Sequence, residues 1–156
     1  MPRTALIIAV PEADHVVVTG FAAPGVPAHV TVLYPFADVT DIDESTIAEV
    51  FAPFSVFDFV LNRVEQFDDG LVWMRPEPSQ PFEALTAAAW RRFPDYPPYE
   101  GVHETVVPHL TVSKAPLEAE LDLPIRATAR AVTLIEEAAD GRWSVRRVFP
   151  LSPTGG

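Results

Sequence analysis

Seventeen prolines are spread through the 156 residues, and they set where helices and strands can begin and end. Proline has no N–H to donate, so it stops a helix or an interior strand. Ala5 to Val10 is a compact aliphatic run, read as an interior strand that Pro11 cuts off. Val16 to Thr19 is a short β-prone piece, and Pro24, Gly25 and Pro27 make a turn. Ala28 to Tyr34 is strand-like and ends at Pro35. Asp41 and Glu44 have the spacing of a capping box, predicting a short helix with Ile47, Val50 and Phe51 on one face and a stop at Pro53. Val56 to Phe67 alternates as a strand, Asp68-Asp69-Gly70 turns, and Leu71 to Met74 returns. Ser79, Gln80 and Pro81 open a second helix that carries Phe82, Leu85, Ala89 and Phe93 and ends at Pro94. A loop rich in Pro and Tyr follows, then a strand from Val106 to Ser113 and a connector from Pro116 to Pro124. Ala127 to Glu136 and Trp143 to Phe149 read as a final hairpin. About seven strands and two helices, mixed without strict alternation, predict an α+β fold with mostly antiparallel sheet. Residues 1–151 are expected to form one domain, with 152–156 a frayed tail.

The chain carries 11 basic and 22 acidic residues, a formal net charge of −11. That field repels long polyanions, so a grip on duplex nucleic acid is not expected, while a small anion in a local pocket is allowed. Cysteine is absent, which removes disulfides, thiolate nucleophiles and thiolate metal sites. The N-terminal apolar run is too short for a membrane span and lacks a cleavage site, so a cytoplasmic protein without membrane partners is expected. There is no phosphate-binding Gly-rich loop, no dinucleotide fingerprint, no serine-nucleophile turn and no His-Glu-x-x-His.

Histidine is what remains. There are four, at 15, 29, 103 and 109. Two lie in matching frames, Ala28-His29-Val30-Thr31-Val32 and Pro108-His109-Leu110-Thr111-Val112, eighty positions apart. On a strand, residues i and i+2 share a face, so each frame presents an imidazole beside a hydroxyl, with apolar residues behind. The duplication suggests two similar lobes meeting at a cleft. His103-Glu104-Thr105 has the same bare spacing, but Glu104 replaces the apolar residue. Two imidazoles flanking a phosphate can serve as base and acid for in-line displacement, one neutral and one protonated near neutral pH. Threonine hydroxyls beside them can hold the non-bridging oxygens. This chemistry calls for no cofactor and no metal, and a four-histidine metal site has no familiar ligand spacing here.

Paired His-apolar-Thr-apolar segments at these places in a chain of this length resemble the 2H phosphoesterase superfamily, most closely its 2'-5' RNA ligase-like branch. The segment from His29 to Phe36 is especially similar. The resemblance implies a bilobed α+β fold with pseudo-two-fold lobes around a central cleft. It implies action on 2',3'-cyclic phosphates of nucleotides or short RNA ends, with 2'-5' ligation in some members. On it, His29 and His109 are the catalytic pair and Thr31 and Thr111 bind phosphate. A basic residue five places after the second His is common in such proteins, and here it is Lys114. Strict alternation puts Lys114 on the face opposite His109, so contact with substrate requires a bulge or strand end.

Several other residues have both a binding and a bland reading. Tyr34, Phe36 and Trp73 can stack on a base or simply pack. Tyr96, Tyr99 and His103 sit on a loop that can overhang the cleft or lie idle. Arg126, Arg130, Arg142, Arg146 and Arg147 can steer an anion or pair with surface acids. At the level of the whole chain, the alternatives are a nucleotide-binding module without turnover and an interaction protein with incidental histidines. The test between them is whether both imidazoles face one cleft, within about 8 Å.

Overall fold

The computed structural model describes residues 4–16, 28–68, 70–97, 107–113 and 122–153. Its strands are β1 (Thr4–Ala9), β2 (His29–Phe36), β3 (Phe57–Gln66), β4 (Val72–Glu77), β5 (Leu110–Ser113), β6 (Ile125–Ala129), β7 (Ala131–Glu137) and β8 (Trp143–Pro150). Helix α1 spans Glu44–Phe51 and α2 spans Gln80–Arg92, with 3-10 turns at Pro11–Val16 and Val39–Asp41. All eight strands form one sheet in the order β6-β3-β4-β5-β2-β1-β7-β8. Every neighbouring pair is antiparallel. This is the expected α+β class. Four strands lie on each side of the β5–β2 seam, giving the two lobes. The sheet curls, so Glu12, just after β1, accepts bonds from the Thr128 N–H and from Arg130 beside the far edge.

The main core lies on the helix-covered face. Leu6, Ile8, Val30, Leu110 and Met74 meet Ile47 and Phe51 of α1 and Phe82, Leu85 and Ala89 of α2 there. The other face carries a smaller cluster of Ala5, Ile7, Ile135 and Trp143, with Tyr34 against it. β1 is buried on both faces, which is why Ala5 to Val10 reads as a continuous aliphatic run rather than an alternating one.

β2 is not regular. Its pairing with β1 shifts between Ile7↔Thr31 and Leu6↔Leu33. Val32 and Leu33 both point into the main core as a result. The bulge moves Tyr34 onto the face of His29 and Thr31, where strict alternation would have placed Leu33. The Thr86 hydroxyl on α2 donates to the Val32 carbonyl at 2.7 Å within the core. Thr86→Val would strand that buried acceptor. It is expected to lower stability by about 1–3 kcal/mol in urea unfolding, and an unchanged midpoint would show the bond to be idle.

Several boundaries differ from the sequence expectation. Val16 ends a 3-10 turn rather than starting a strand, and the rest of the piece to Thr19 lies outside the described residues. β2 runs through Pro35 to Phe36, across a cis Tyr34–Pro35 bond. The cap of α1 is Asp43, not Asp41, because its carboxylate accepts from the hydroxyl and N–H of Ser45. Those two bonds hold the Asp43 carboxyl below its usual pKa. The stretch from Ala127 to Glu136 is two strands broken at Arg130. β6 pairs with β3, and β7 pairs with β1 and β8. Ser152, expected to fray, bridges Ser55 in parallel, donates its N–H to the Phe54 carbonyl and accepts from the Val56 N–H.

Candidate functional site

The site is built where the two lobes meet. Val30 of β2 pairs with Leu110 of β5, and both side chains are fully buried in the main core. One step either way along antiparallel strands sets His29 opposite Thr111 and Thr31 opposite His109. All four are half-buried and stand on the face away from the helices. The pairing makes each motif the image of the other about a local two-fold axis between Val30 and Leu110. The two histidines are diagonal neighbours across the seam, a relation that puts such residues about 7–8 Å apart, with their Cβ atoms somewhat closer. The hydroxyls of Thr31 and Thr111 make no hydrogen bond among the described residues.

His109 Nδ1 lies 2.7 Å from the Val107 carbonyl. A carbonyl can only accept, so Nδ1 carries the proton. The neutral ring therefore has its lone pair on Nε2. Phe67 and Trp73 also fix the ring, meeting it edge-on at 5.4 Å and 5.8 Å between centroids. Those two rings stack on each other at 4.6 Å, 16° from parallel. Trp73 pairs directly with Thr111 across β4 and β5. Phe67 comes from the β3–β4 hairpin, whose turn is closed by its N–H bonding the Leu71 carbonyl and by Gly70 at φ +94°. The Trp73 indole N–H is buried with no partner among the described residues.

Around the local two-fold axis the lobes are unequal. Opposite Thr31 on β1 is Ile7, where Trp73 stands opposite Thr111. The position flanking Thr111 is thus aromatic and the one flanking Thr31 aliphatic. Tyr34 lies on the site face further along β2, meeting Trp143 edge-on at 6.2 Å.

A model of the 2'-5' RNA ligase superfamily matches residues 19–156. The chain belongs to that superfamily. The solved structures agree on the fold. Escherichia coli LigT complexed with 3'-AMP superposes with a TM-score of 0.64 at 16% identity, covering 97% of this chain and 98% of LigT. TT0787 of Thermus thermophilus gives 0.61 at 18% identity, over 97% of this chain and 98% of that one. A crystal structure described only as a phosphoesterase gives 0.61 at 17%, over 97% and 99%. No curated protein matches the chain.

The remaining candidates of this superfamily member separate cleanly. Lys114, Tyr99 and His103 lie outside the described residues. Phe36 belongs to the main core, edge-on to Phe93 and Tyr96, so it and Tyr96 pack rather than line the site. His15 is exposed at the end of a 3-10 turn. Of the five C-terminal arginines, Arg130, Arg146 and Arg147 pair with Glu12, Glu44 and Glu136, which is the bland reading for those three. No cluster of three metal-ligating side chains occurs among the described residues. No helix among them is long and apolar enough to cross a membrane. Two residues near His109 were missed in the sequence, Phe67 and Arg75. Their signals were a ring flanking the Asp68-to-Gly70 turn and the two-residue spacing of Trp73 and Arg75.

Proposed function

We propose that this chain is a two-histidine phosphodiesterase that opens 2',3'-cyclic phosphates of nucleotides or short RNA ends without a metal. The observation that carries the reading is the Val30–Leu110 pairing, which faces two imidazoles and two hydroxyls onto one patch. One histidine takes a proton from water as the water oxygen bonds to phosphorus. The P–O bond to one ribose oxygen breaks in line, and the other histidine protonates that oxygen. For His109 the atom in play is Nε2, because Nδ1 is committed to Val107. Thr31 and Thr111 hold the non-bridging oxygens as charge builds on them. In ligation a 5'-hydroxyl replaces water in the same sense: its oxygen bonds to phosphorus as one histidine takes its proton, the P–O bond to the 3'-oxygen breaks, the other histidine protonates that oxygen, and a 2'-5' linkage remains. The net charge of −11 favours a small substrate over a long polyanion. The 3'-AMP and phosphate complexes of LigT support a nucleotide phosphate as ligand in this fold.

The test is turnover of the four nucleoside 2',3'-cyclic monophosphates across pH, with chelator present and His29→Ala as control. Chelator-resistant hydrolysis with a bell-shaped pH profile, lost in the variant, is expected. Tight binding of these compounds with no product after long incubation would instead make the chain a nucleotide-binding module.

A further inference from the structure

We infer that Arg75 is a second anion site of this cleft, taking a phosphate next to the scissile one and giving preference for substrates that carry it. The inference rests on the phosphodiesterase reading for the position of the first phosphate. Met74 pairs with Leu110, so the next step along β4 sets Arg75 across from His109. Its guanidinium carbon lies 5.6 Å over the Trp73 ring. Its Nε donates to Glu65 at 3.1 Å. The terminal nitrogens make no hydrogen bond among the described residues, and the side chain remains 44% exposed.

This is an arranged cation rather than a loose surface arginine. Glu65 pairs with Trp73 across the β3–β4 hairpin, so the carboxylate that holds Nε is itself fixed by register. An arginine held by Nε on one side and an indole below presents its terminal nitrogens as a fork, the geometry that takes two phosphate oxygens at once. Glu65 neutralises part of the charge but occupies none of that fork.

The location selects which phosphate. The two histidines and two threonines already surround the β2–β5 seam. Arg75 stands one strand further out, on β4, so it lies about one and a half strand spacings, roughly 7 Å, from the seam. That offset suits a neighbouring phosphate of the same nucleotide chain. Ala9 holds the corresponding place beside His29, so the local two-fold axis supplies no second such cation. The asymmetry gives the substrate a direction in a site whose reacting groups are equivalent in kind.

The experiment measures binding of a nucleoside 3'-phosphate and the matching nucleoside 3',5'-bisphosphate by calorimetry, for the parent chain, Arg75→Gln and Arg75→Lys. Cyclic-phosphate turnover is assayed in parallel. The parent is expected to bind the bisphosphate about 10-fold or more tighter, the worth of one charge-assisted contact. Arg75→Gln is expected to erase that preference while leaving 3'-phosphate affinity and kcat on cyclic mononucleotides within about two-fold. Arg75→Lys should restore part of it. Equal affinity for the two ligands in the parent, or a preference that survives Arg75→Gln, overturns the inference. So does an equal loss on both ligands, which would put Arg75 on the first phosphate. A preference that depends on Arg75 in a chain without turnover would uphold the anion site and reject the catalytic reading. Turnover without preference would do the reverse.

Discussion

His109→Ala is expected to lower kcat on a 2',3'-cyclic phosphate by a factor of about 10²–10⁴, the usual worth of one positioned acid or base. The unfolding midpoint should scarcely move. His109 is half-buried on the open face, and Leu110 beside it supplies the core contact. His29→Ala should give a loss of the same order, because the pairing makes the two positions equivalent about the seam. The pH profiles should then distinguish them. A bell needs one group deprotonated and the other protonated, and its two apparent pKa values belong to the pair. Deleting the base removes the acidic limb and deleting the acid removes the alkaline limb. The two variants are therefore expected to lose opposite limbs, which assigns base and acid directly. Unchanged turnover in His109→Ala would sink the mechanism, and loss of the same limb in both would leave one histidine as a mere hydrogen-bond donor.

The site and the architecture were not equally legible in the sequence. The shared face of His29 with Thr31, and of His109 with Thr111, follows from the two-residue strand period alone. That the two strands touch is a long-range fact, and only the duplicated frame hinted at it. Arg75 was invisible for the same reason. Its spacing from Trp73 gave a shared face, but nothing local says that β4 lies beside β5. The bulge at Val32 and Leu33 is equally silent, since an extra core residue looks like any other valine or leucine. Alternation through residue 33 would have turned Tyr34 into the core. Ala127 to Glu136 failed differently. Its residues are β-prone throughout, and tertiary pairing split the run at Arg130 between opposite ends of the sheet. By contrast, Phe57, Phe59 and Leu61 did fall on one buried side, because one face of β3 is core and the period is clean there.

Phe82→Ala is expected to cost about 3–5 kcal/mol, the range for deleting a buried aromatic side chain. That is a large part of the roughly 5–15 kcal/mol that keeps a domain folded. Phe82 is 2% exposed and meets Phe57 and Phe59 edge-on at 5.1 Å and 5.0 Å. It therefore fastens the first turn of α2 to β3, in the lobe that carries His109. One turn later, Thr86 bonds the Val32 carbonyl, in the lobe that carries His29. The same helix thus grips both halves of the sheet from behind the seam. Urea unfolding measures the stability loss, and kcat per folded molecule at low temperature measures its reach. If α2 acts only as a plate behind the sheet, the folded fraction should keep kcat within a few-fold while the midpoint collapses. A loss below about 1 kcal/mol, well under the range for a buried aromatic, would contradict the packing of α2 on β3. A large fall in kcat among folded molecules would mean instead that α2 sets the seam geometry, and that the spacing of the two imidazoles is held from the core side.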